Sequence, residues 1–290
     1  MAGRPERWPE NADGSFYVDR TCIDCDACRR IAPTVFAEAS DHSFVARQPE
    51  GELEKRRALM ALVACPTGSI GTSPREDARA AIQSFPEVVD ENVSFCGFTS
   101  KDSFGAWSYW IERPEGNVLV DSPRAVAHLL REFENRGGLA TLFLTHRDDV
   151  ADHAAFRSRF SCERILHEAD RTADTAGVER FLRGDEAVAL SDDLLAIPTP
   201  GHTRGHAVLL YRNRFLFTGD HLAWSESRKG LVAFRDACWY SWKEQTRSME
   251  RLLDYSFEWV LPGHGQWYRA QSPAGMRREL ERCVAWMKGA

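Results

Sequence analysis

The chain has 290 residues, of which 43% are hydrophobic and 28% charged, and its formal net charge is −6 at pH 7. This composition excludes a disordered or collagen-like protein, and the length predicts about two domains of roughly 150 residues each. The acidic balance gives no reason to expect nucleic acid or an anionic membrane as a partner. Because no apolar run approaches a bilayer span and no secretory h-region is present, we expect a cytoplasmic protein.

The predicted elements fall into two unequal parts. Residues 1–75 contain a cysteine-rich loop in FYVDRTCIDCDACRRIAPTVF, a charged helix in EGELEKRRALMALVA and the segment CPTGSI. The polar stretch 76–92 is predicted to be a linker with one or two helical turns. From residue 93 to 290, short apolar strands such as NVLVDSP, TLFLTH, LLAIPTPGH and WVLPGH alternate with helical patterns such as SPRAVAHLLREFENRG and YSWKEQTRSMERLLDYS. This alternation predicts a layered α/β domain.

Eight cysteines divide into two groups of four. In a reducing compartment they are not expected to form disulfides, so they are interpreted by their spacing. One group is clustered: Cys22, Cys25, Cys28 and Cys65. The other group is scattered and is expected to consist of buried core residues: Cys96, Cys162, Cys238 and Cys283.

Four thiolates in the clustered group indicate either zinc or an iron-sulfur cluster. Zinc sites usually pair two C-x2-C knuckles, whereas three cysteines on one loop with a remote Cys65-Pro66 favour a cluster. In two-cluster ferredoxins a further cysteine follows and serves the other cluster, but this chain has Ala32 there, which predicts one cluster.

The motifs CIDCDAC, APTVF and CPTGSI resemble those of single-cluster 4Fe-4S ferredoxins over about residues 15–75. The resemblance implies an α+β ferredoxin-like domain with one 4Fe-4S cluster. Its ligands would be Cys22, Cys25, Cys28 and Cys65. Zinc or purely structural thiols remain the alternatives.

Histidine and aspartate motifs in the second part each lie where a predicted strand ends. They read TPGHTRGH around His202, TGDH around Asp220 and LPGHG around His264, after an earlier LTHRDD around His146. A glycine directly before His202, Asp220 and His264 lets the backbone turn sharply, so that the side chain points away from the strand end. Imidazole and carboxylate groups are ligands for zinc, iron or manganese.

This ordered series resembles the metallo-β-lactamase superfamily of metallo-hydrolases. SYWIERPEGNVLVDSPR is similar to the opening hairpin of that family, with Asp121-Ser-Pro in place of Asp-Thr-Gly. The resemblance implies an αββα sandwich over residues 93–290 with one or two divalent metal ions. It makes His202 and His264 terminal ligands and Asp220 a bridging one. His206 and His221 are expected to support these ligands or to lie in the core.

The first motif departs from the family pattern T-H-x-H-x-D-H. Two registers are open: either two residues are missing, so that Asp148 and Asp149 follow His146 as ligands, or the Asp152-His153 pair is retained after a longer loop. The positions of the next helix and strand favour the shorter loop. His153, four residues after Asp149 on an early-starting helix, could also reach the metal. The loss of an imidazole favours iron, manganese or a single metal.

The resemblance implies hydrolysis of a small thioester or ester, with Asp148, Asp149 and Asp220 as the catalytic carboxylates. Two alternatives remain open. One is an iron-dependent redox enzyme, active on oxygen, nitric oxide or a persulfide, that uses the cluster as its electron carrier. The other is a non-catalytic redox sensor. The expected partners are a small-molecule substrate and an electron donor or acceptor protein.

Overall fold

A computed structural model describes residues 6–289; residues 1–5 and 290, the outermost ends of the two predicted domains, lie outside the described part. The N-terminal elements are β1 (Phe16–Val18), α1 (Ala27–Ile31), β2 (Phe36–Glu38), β3 (Ser43–Val45), α2 (Gly51–Ala64) and β4 (Ile70–Thr72). Strands β1 and β4 pair antiparallel, as do β2 and β3. Because β4 returns beside β1, the residue after α2 is brought to the loop that follows β1.

A seven-stranded sheet begins inside the stretch predicted to be a linker. That stretch contains α3 (Arg79–Ile82) and β5 (Glu87–Asp90), and β5 forms one edge of the sheet. The remaining strands are β6 (Val93–Phe95), β7 (Tyr109–Ile111), β8 (Val118–Val120), β9 (Thr141–Phe143), β10 (Glu163–His167) and β11 (Arg180–Leu182). Strands β5 to β8 are antiparallel neighbours, and β8 to β11 are parallel. The crossover helices α4 (Ala127–Asn135) and α5 (His153–Phe160) make the parallel pairings possible.

A six-stranded sheet forms the second half of the domain, with the strand order β12-β13-β14-β15-β18-β19. These strands are β12 (Val188–Ser191), β13 (Leu194–Pro198), β14 (Ala207–Tyr211), β15 (Phe215–Gly219), β18 (Trp259–Pro262) and β19 (Tyr268–Arg269). A separate hairpin is made of β16 (Ala223–Ser225) and β17 (Gly230–Val232), and the helices are α6 (Trp242–Arg251) and α7 (Pro273–Gly289).

The two sheets pack face to face. Successive side chains along a single strand point alternately into the core between the sheets and into the core beneath the outer helices. In β15, Phe215 and Phe217 belong to the core between the sheets, whereas Leu216 belongs to the core beneath α6 and α7. In β7, Tyr109 lies 5.4 Å from Phe217, while the neighbouring Trp110 points the other way. Trp110 packs 4.6 Å from Phe133 of α4. Helices therefore cover both outer faces, and the predicted αββα sandwich is confirmed.

The N-terminal unit packs directly on this sandwich. Thr99 donates to the carbonyl of Ala64 at the end of α2 (2.9 Å), and Arg124 donates to the carbonyl of Val63 (3.0 Å). One continuous buried core includes Phe16 of β1 and Leu261 of β18. Among residues 6–289, no helix is long and apolar enough to cross a bilayer.

Candidate metal centres

The four clustered cysteines line one small pocket. Cys22, Cys25 and Cys28 lie on or at the end of the loop from β1 into α1, and Cys65 directly follows α2. The rest of the lining is largely apolar and includes Val18, Ile23, Pro66 and Ile70. The structure thus brings all four predicted cluster ligands to one largely apolar pocket.

Burial shifts the pKa values of three of these thiols upward. Burial raises the pKa of Cys25 to about 12 and raises the pKa values of Cys22 and Cys28, so without a bound metal they are neutral thiols. Binding of a cluster must therefore displace their protons. The backbone N–H of Ser43 donates to the Cys22 sulfur (3.4 Å), and such bonds tune cluster reduction potentials.

The scattered cysteines are mostly core residues, as predicted. Cys96, Cys162 and Cys283 are buried. Cys238 is a correction to that prediction, because it is only partly buried and its thiol donates to the carbonyl of Gly201 (3.2 Å). The loop that carries Cys238 lies beside the turn of His202, which keeps it near the surface.

Four strand ends deliver the histidine and aspartate ligands to one place. His146 follows β9 of the first sheet, and His202, Asp220 and His264 follow β13, β15 and β18 of the second. Strands β13 and β15 run in the same direction because both are antiparallel to β14, and β18 is parallel to β15. Their ends therefore meet at one edge of the sheet, where the two sheets open.

The ligand atoms around His146 and His202 stand too far apart for hydrogen bonds but at distances that suit metal coordination. The Nε2 atom of His146 lies 3.8 Å from Asp220 Oδ2, 3.9 Å from Asp149 Oδ2 and 4.0 Å from Asp148 Oδ2. His202 Nε2 lies 3.6 Å from Asp148 Oδ2 and 3.7 Å from Asp220 Oδ2. Two ligands of a tetrahedral ion with bonds of about 2.1 Å are roughly 3.4 Å apart.

Unpartnered polar atoms give a second test of the site. His146 Nε2, Asp149 Oδ2 and His202 Nε2 are buried without a hydrogen-bond partner among the described residues. Buried polar atoms are rarely left unpaired, and several pointing at one spot indicate a missing ion. Ligand atoms of His146, Asp148 and His202 lie within 4.8 Å of one another, as do those of His146, Asp149 and Asp220. The residues present therefore fit a divalent metal.

Burial and mutual charge shift the pKa values of these groups. Burial lowers the pKa of His146 to about 4, so its ring is neutral at pH 7 and able to bind a metal. Burial and the nearby Asp220 raise the pKa of Asp149 well above its ordinary value. Burial would also raise the pKa of Asp220, but His264 and His146 reverse the shift and lower it. His264 Nδ1 lies 2.7 Å from Asp220 Oδ1. A cation would neutralise this crowding of carboxylates.

The structure has the shorter of the two loop registers. Asp148 and Asp149 face His146 and His202, whereas the carboxylate of Asp152 accepts from the backbone N–H of Ala125 (2.7 Å). His153 does not join the cluster. Its Nδ1 lies 3.0 Å from the Arg164 guanidinium, and burial and that cation lower its pKa. Helix α5 begins at residue 153, so Asp149 precedes it and the two side chains do not share a helical face.

Groups behind the ligands fix their orientation. The backbone N–H of Thr145 donates to Asp121 (2.8 Å), and the Thr145 hydroxyl lies 2.9 Å from His146 Nδ1, which leaves Nε2 free for a metal. Gly219 has φ of +46°, and a Cβ there would lie 2.4 Å from the Thr145 hydroxyl. Glycine is therefore required directly before Asp220.

His206 and His221 lie behind the metal ligands, as expected. His206 Nδ1 lies 2.9 Å from the Thr199 hydroxyl, and its ring is 5.2 Å from that of His146. The ring of His221 is 5.5 Å from His206, and neither of its nitrogens has a hydrogen-bond partner among the described residues. Burial lowers the pKa values of both histidines, that of His221 to about 3.

A cavity of about 1470 Å³ opens onto the ligand cluster. Its walls include Asp148, Asp220 and His264 of the sandwich and also Cys25 from the N-terminal unit. Trp239, 63% exposed, lies in the wall with its ring 6.3 Å from that of His202. Sequence reasoning did not foresee that a cluster ligand and the histidine–aspartate centre share one cavity, because no local pattern reports contact between distant segments.

Two family models match the chain. Residues 102–264, more than half of the chain, match the model of the metallo-beta-lactamase superfamily. Residues 18–72 match the model of the 4Fe-4S single cluster domain of ferredoxin I. Both matched ranges lie within the predicted domains, and the division of the chain at residues 76–92 stays a prediction.

Curated relatives match parts of the second domain. A hydroxyacylglutathione hydrolase of Mesorhizobium japonicum is 30% identical over 110 residues, which cover 36% of this chain and 42% of the relative. One of Rhizobium etli is 34% identical over 135 residues, covering 42% of this chain and 48% of the relative. The chain thus spans less than half the length of each.

Solved structures show the same fold at lower identity. The metallo-beta-lactamase DIM-1 superposes with a TM-score of 0.51 at 18% identity, covering 68% of this chain and 96% of that one. The structure of VMB-1 gives a TM-score of 0.51 at 16% identity, covering 68% and 95%. These likenesses support the sandwich fold alone.

Proposed function

The chain belongs to the metallo-beta-lactamase superfamily, fused to a single-cluster 4Fe-4S ferredoxin domain, and we propose that it hydrolyses a small thioester or ester. The observation that carries the proposal is the set of unpartnered imidazole and carboxylate atoms facing one cavity. The hydrolase relatives favour a thioester, because an acylglutathione is one.

A divalent metal bound here supplies a Lewis acid and lowers the pKa of water. His146, His202, Asp149 and Asp220 would hold it, since their ligand atoms lie close together. His264, which pairs with Asp220, would complete the site on the other side of that carboxylate. Asp220 Oδ2 lies 3.8 Å from His146 Nε2 and 3.7 Å from His202 Nε2, and its Oδ1 lies 2.7 Å from His264 Nδ1, so this carboxylate would serve both sides of the site. Binding by neutral histidines and carboxylates suits zinc, iron and manganese.

Asp148 is suited to accept the proton of the attacking water. Its side chain lies in the cavity wall and is 45% exposed, whereas that of Asp149 is buried. The nearby ring of His202 lowers the pKa of Asp148, so the carboxylate is ionised at neutral pH. A positioned base of this kind contributes typically 10²–10⁴-fold to a rate.

The test is release of thiol from small acyl thioesters by the zinc-loaded full chain. We expect turnover by the wild type, and Asp148→Asn should lower kcat by about 100-fold with little change in KM. Asp102→Asn, which removes an exposed carboxylate in the same cavity wall, serves as the matched control and should leave kcat unchanged. Absence of thiol release from every thioester, with metal bound, would reject the proposal.

A second candidate, an iron-dependent redox enzyme, is favoured by the short path between the centres. Cys25 packs so closely on Gly105 that a Cβ there would lie 2.7 Å from its sulfur. The neighbouring Phe104 carbonyl lies 3.3 Å from His264 Nε2. Only a few bonds and contacts therefore separate the cluster ligand from a metal ligand, which suits electron transfer.

Metal analysis after anaerobic purification separates the two candidates. A hydrolase is expected to contain about four irons and four sulfides for the cluster plus zinc. A redox enzyme is expected to contain iron beyond these four, and that excess should be lost in Asp220→Asn while the sulfide content stays unchanged. Zinc in the second domain would reject the redox candidate.

A further inference from the structure

One arginine next to the cluster-binding loop holds the loop that carries His264. Nη1 of Arg30 donates to the carbonyl of Gly265 (2.6 Å), and Nη2 lies 3.3 Å from the carbonyl of Gly263. These carbonyls flank His264 on both sides. Arg30 lies in α1, two residues after the cluster ligand Cys28.

The guanidinium is fixed on its other sides. It stacks over the ring of Trp107, with 4.0 Å to the centroid, and Nε lies 2.7 Å from Asp26. Only 4% of the Arg30 side chain is exposed. The backbone N–H of Trp107 also donates to the carbonyl of Gly263 (2.8 Å), so a buried network surrounds the loop. Because the planar guanidinium is held rigidly in this network, a shift of α1 would move the loop that carries His264.

We propose that Arg30 is a positioning residue for His264, so that loading of the iron-sulfur cluster sets the divalent-metal affinity of the second domain. The proposal rests on the metal centre of the proposed function but on no substrate. It makes the ferredoxin domain a control element: a chain that has lost its cluster binds metal weakly on the His264 side.

The link from cluster to Arg30 is mechanical. Helix α1 has only five residues, which is far too short to be stable without tertiary anchors. Its start follows Asp24 and Asp26, both in the left-handed region with φ of 57° and 59°. The cluster would fasten Cys25 and Cys28 at this start. Without it, nothing ties these two sulfurs to Cys22 and Cys65, and α1 loses the anchor that aims Arg30.

The first experiment measures zinc affinity in full-chain variants by competition with a chromophoric chelator. We expect Arg30→Met to bind its weakest zinc about 10–100-fold less tightly than the wild type, the usual cost of losing a group that orients a ligand. Arg30→Lys, which can reach one carbonyl only, should fall between. Unchanged affinity in either variant would overturn the proposal, so a misfolded Arg30→Met leaves Arg30→Lys as the test.

Arg57→Met is the matched control. Arg57 also links α1 to the sandwich, donating to the carbonyl of Ile31 (2.8 Å) and pairing with Glu87, but it does not contact the His264 loop. Its zinc affinity should equal that of the wild type. An equal loss in Arg57→Met and Arg30→Met would mean that general loosening of the interface, rather than Arg30, weakens the site.

The second experiment removes the cluster through Cys65→Ala and repeats the zinc titration. We expect the weakest zinc to lose affinity as it does in Arg30→Met, and the double variant to lose no more than either single variant. Full wild-type affinity in the cluster-free chain would overturn the coupling. Because no substrate is used, this result is independent of whether the protein hydrolyses a thioester.

Discussion

The two candidate metal centres differ in what holds their ligands. The sulfur pocket is built by an irregular loop, a five-residue helix and strands of three residues. The histidine–aspartate centre stands on the ends of strands that belong to large sheets, such as the five-residue β13 and β15. The first site therefore depends on its cluster for structure, whereas the second is preorganised.

This difference decides whether the free energy of metal or cluster binding stabilises the fold or appears as affinity for the metal. At the sulfur pocket, we expect ligation free energy to add to folding free energy, because the ligands stand on a loop and a short helix. At the strand ends, the sheets already fix the ligands, so ligation free energy becomes affinity. The predictions below test this contrast.

The largest effect is expected for Cys65→Ala. Loss of one ligand should abolish the visible absorbance of the cluster and lower amide hydrogen-exchange protection in α1 by about 100-fold or more, while β13 to β15 keep theirs. Cys96→Ala, which removes a cysteine buried in the sandwich, should retain the absorbance in full. Retained protection of α1 in a colourless Cys65→Ala would break the contrast.

The second largest effect tests the register of the THRDD loop, residues 145–149. Asp149→Asn removes a buried ligand and should weaken zinc binding by about 100-fold, as seen in a competition titration. Asp152→Asn replaces the carboxylate that accepts from the Ala125 N–H by a weaker amide acceptor, so zinc affinity should stay at the wild-type level while unfolding free energy falls by about 1 kcal/mol. The reverse pattern would favour the longer loop.

A smaller effect concerns pH. Burial raises the pKa of Asp121 to about 8, so in metal-free protein the carboxyl is protonated at pH 7. A bound cation favours the ionised form, so binding releases this proton and zinc affinity should rise with pH, by up to about tenfold per unit, until it levels above pH 8. Titrations at several pH values should give a slope about one proton smaller in Asp121→Asn. Equal slopes would show that Asp121 does not titrate.

The smallest effect sharpens the interface between the two regions. Gly105 has φ of +84°, and a Cβ there would lie 2.6 Å from Cys25 Cβ. The cluster of the Gly105→Ala variant should therefore lose its visible absorbance in air several-fold faster than that of the wild type. The substitution should also lower local stability by roughly 2 kcal/mol. Gly184 is the control: it has a similar φ of +74°, but a Cβ there would meet open space. The absorbance of the Gly184→Ala variant should therefore decay at the wild-type rate.

Much of the fold follows from the sequence because its strands alternate or run apolar between turns. The strands from β7 to β10 and β13 to β15, and helices α2, α4 and α6, lie where patterns predicted them. Helix α7 was missed, although Met276, Leu280 and Cys283 recur at helical spacing on its buried face. Strand β5 was missed because its four residues have only Val88 and Val89 as a strand signal.

The meeting of His202, Asp220 and His264 at one edge was predictable because a glycine turn follows each strand end. The sequence did not predict the roles of residues whose contacts arise from tertiary packing. His153 has ligand chemistry, yet Arg164, brought by β10, engages its ring. The role of Arg30 has no local signal either, because its partners lie more than 200 residues away in the chain.

The shared cavity has an evolutionary consequence. One wall of the space in front of the histidine–aspartate centre is made by Asp24, Cys25 and Asp26, which belong to the other domain. A substitution in that loop thus changes the surroundings of a molecule bound at the distant strand ends. We therefore expect residues of the two domains that line this cavity to change together from one related protein to another.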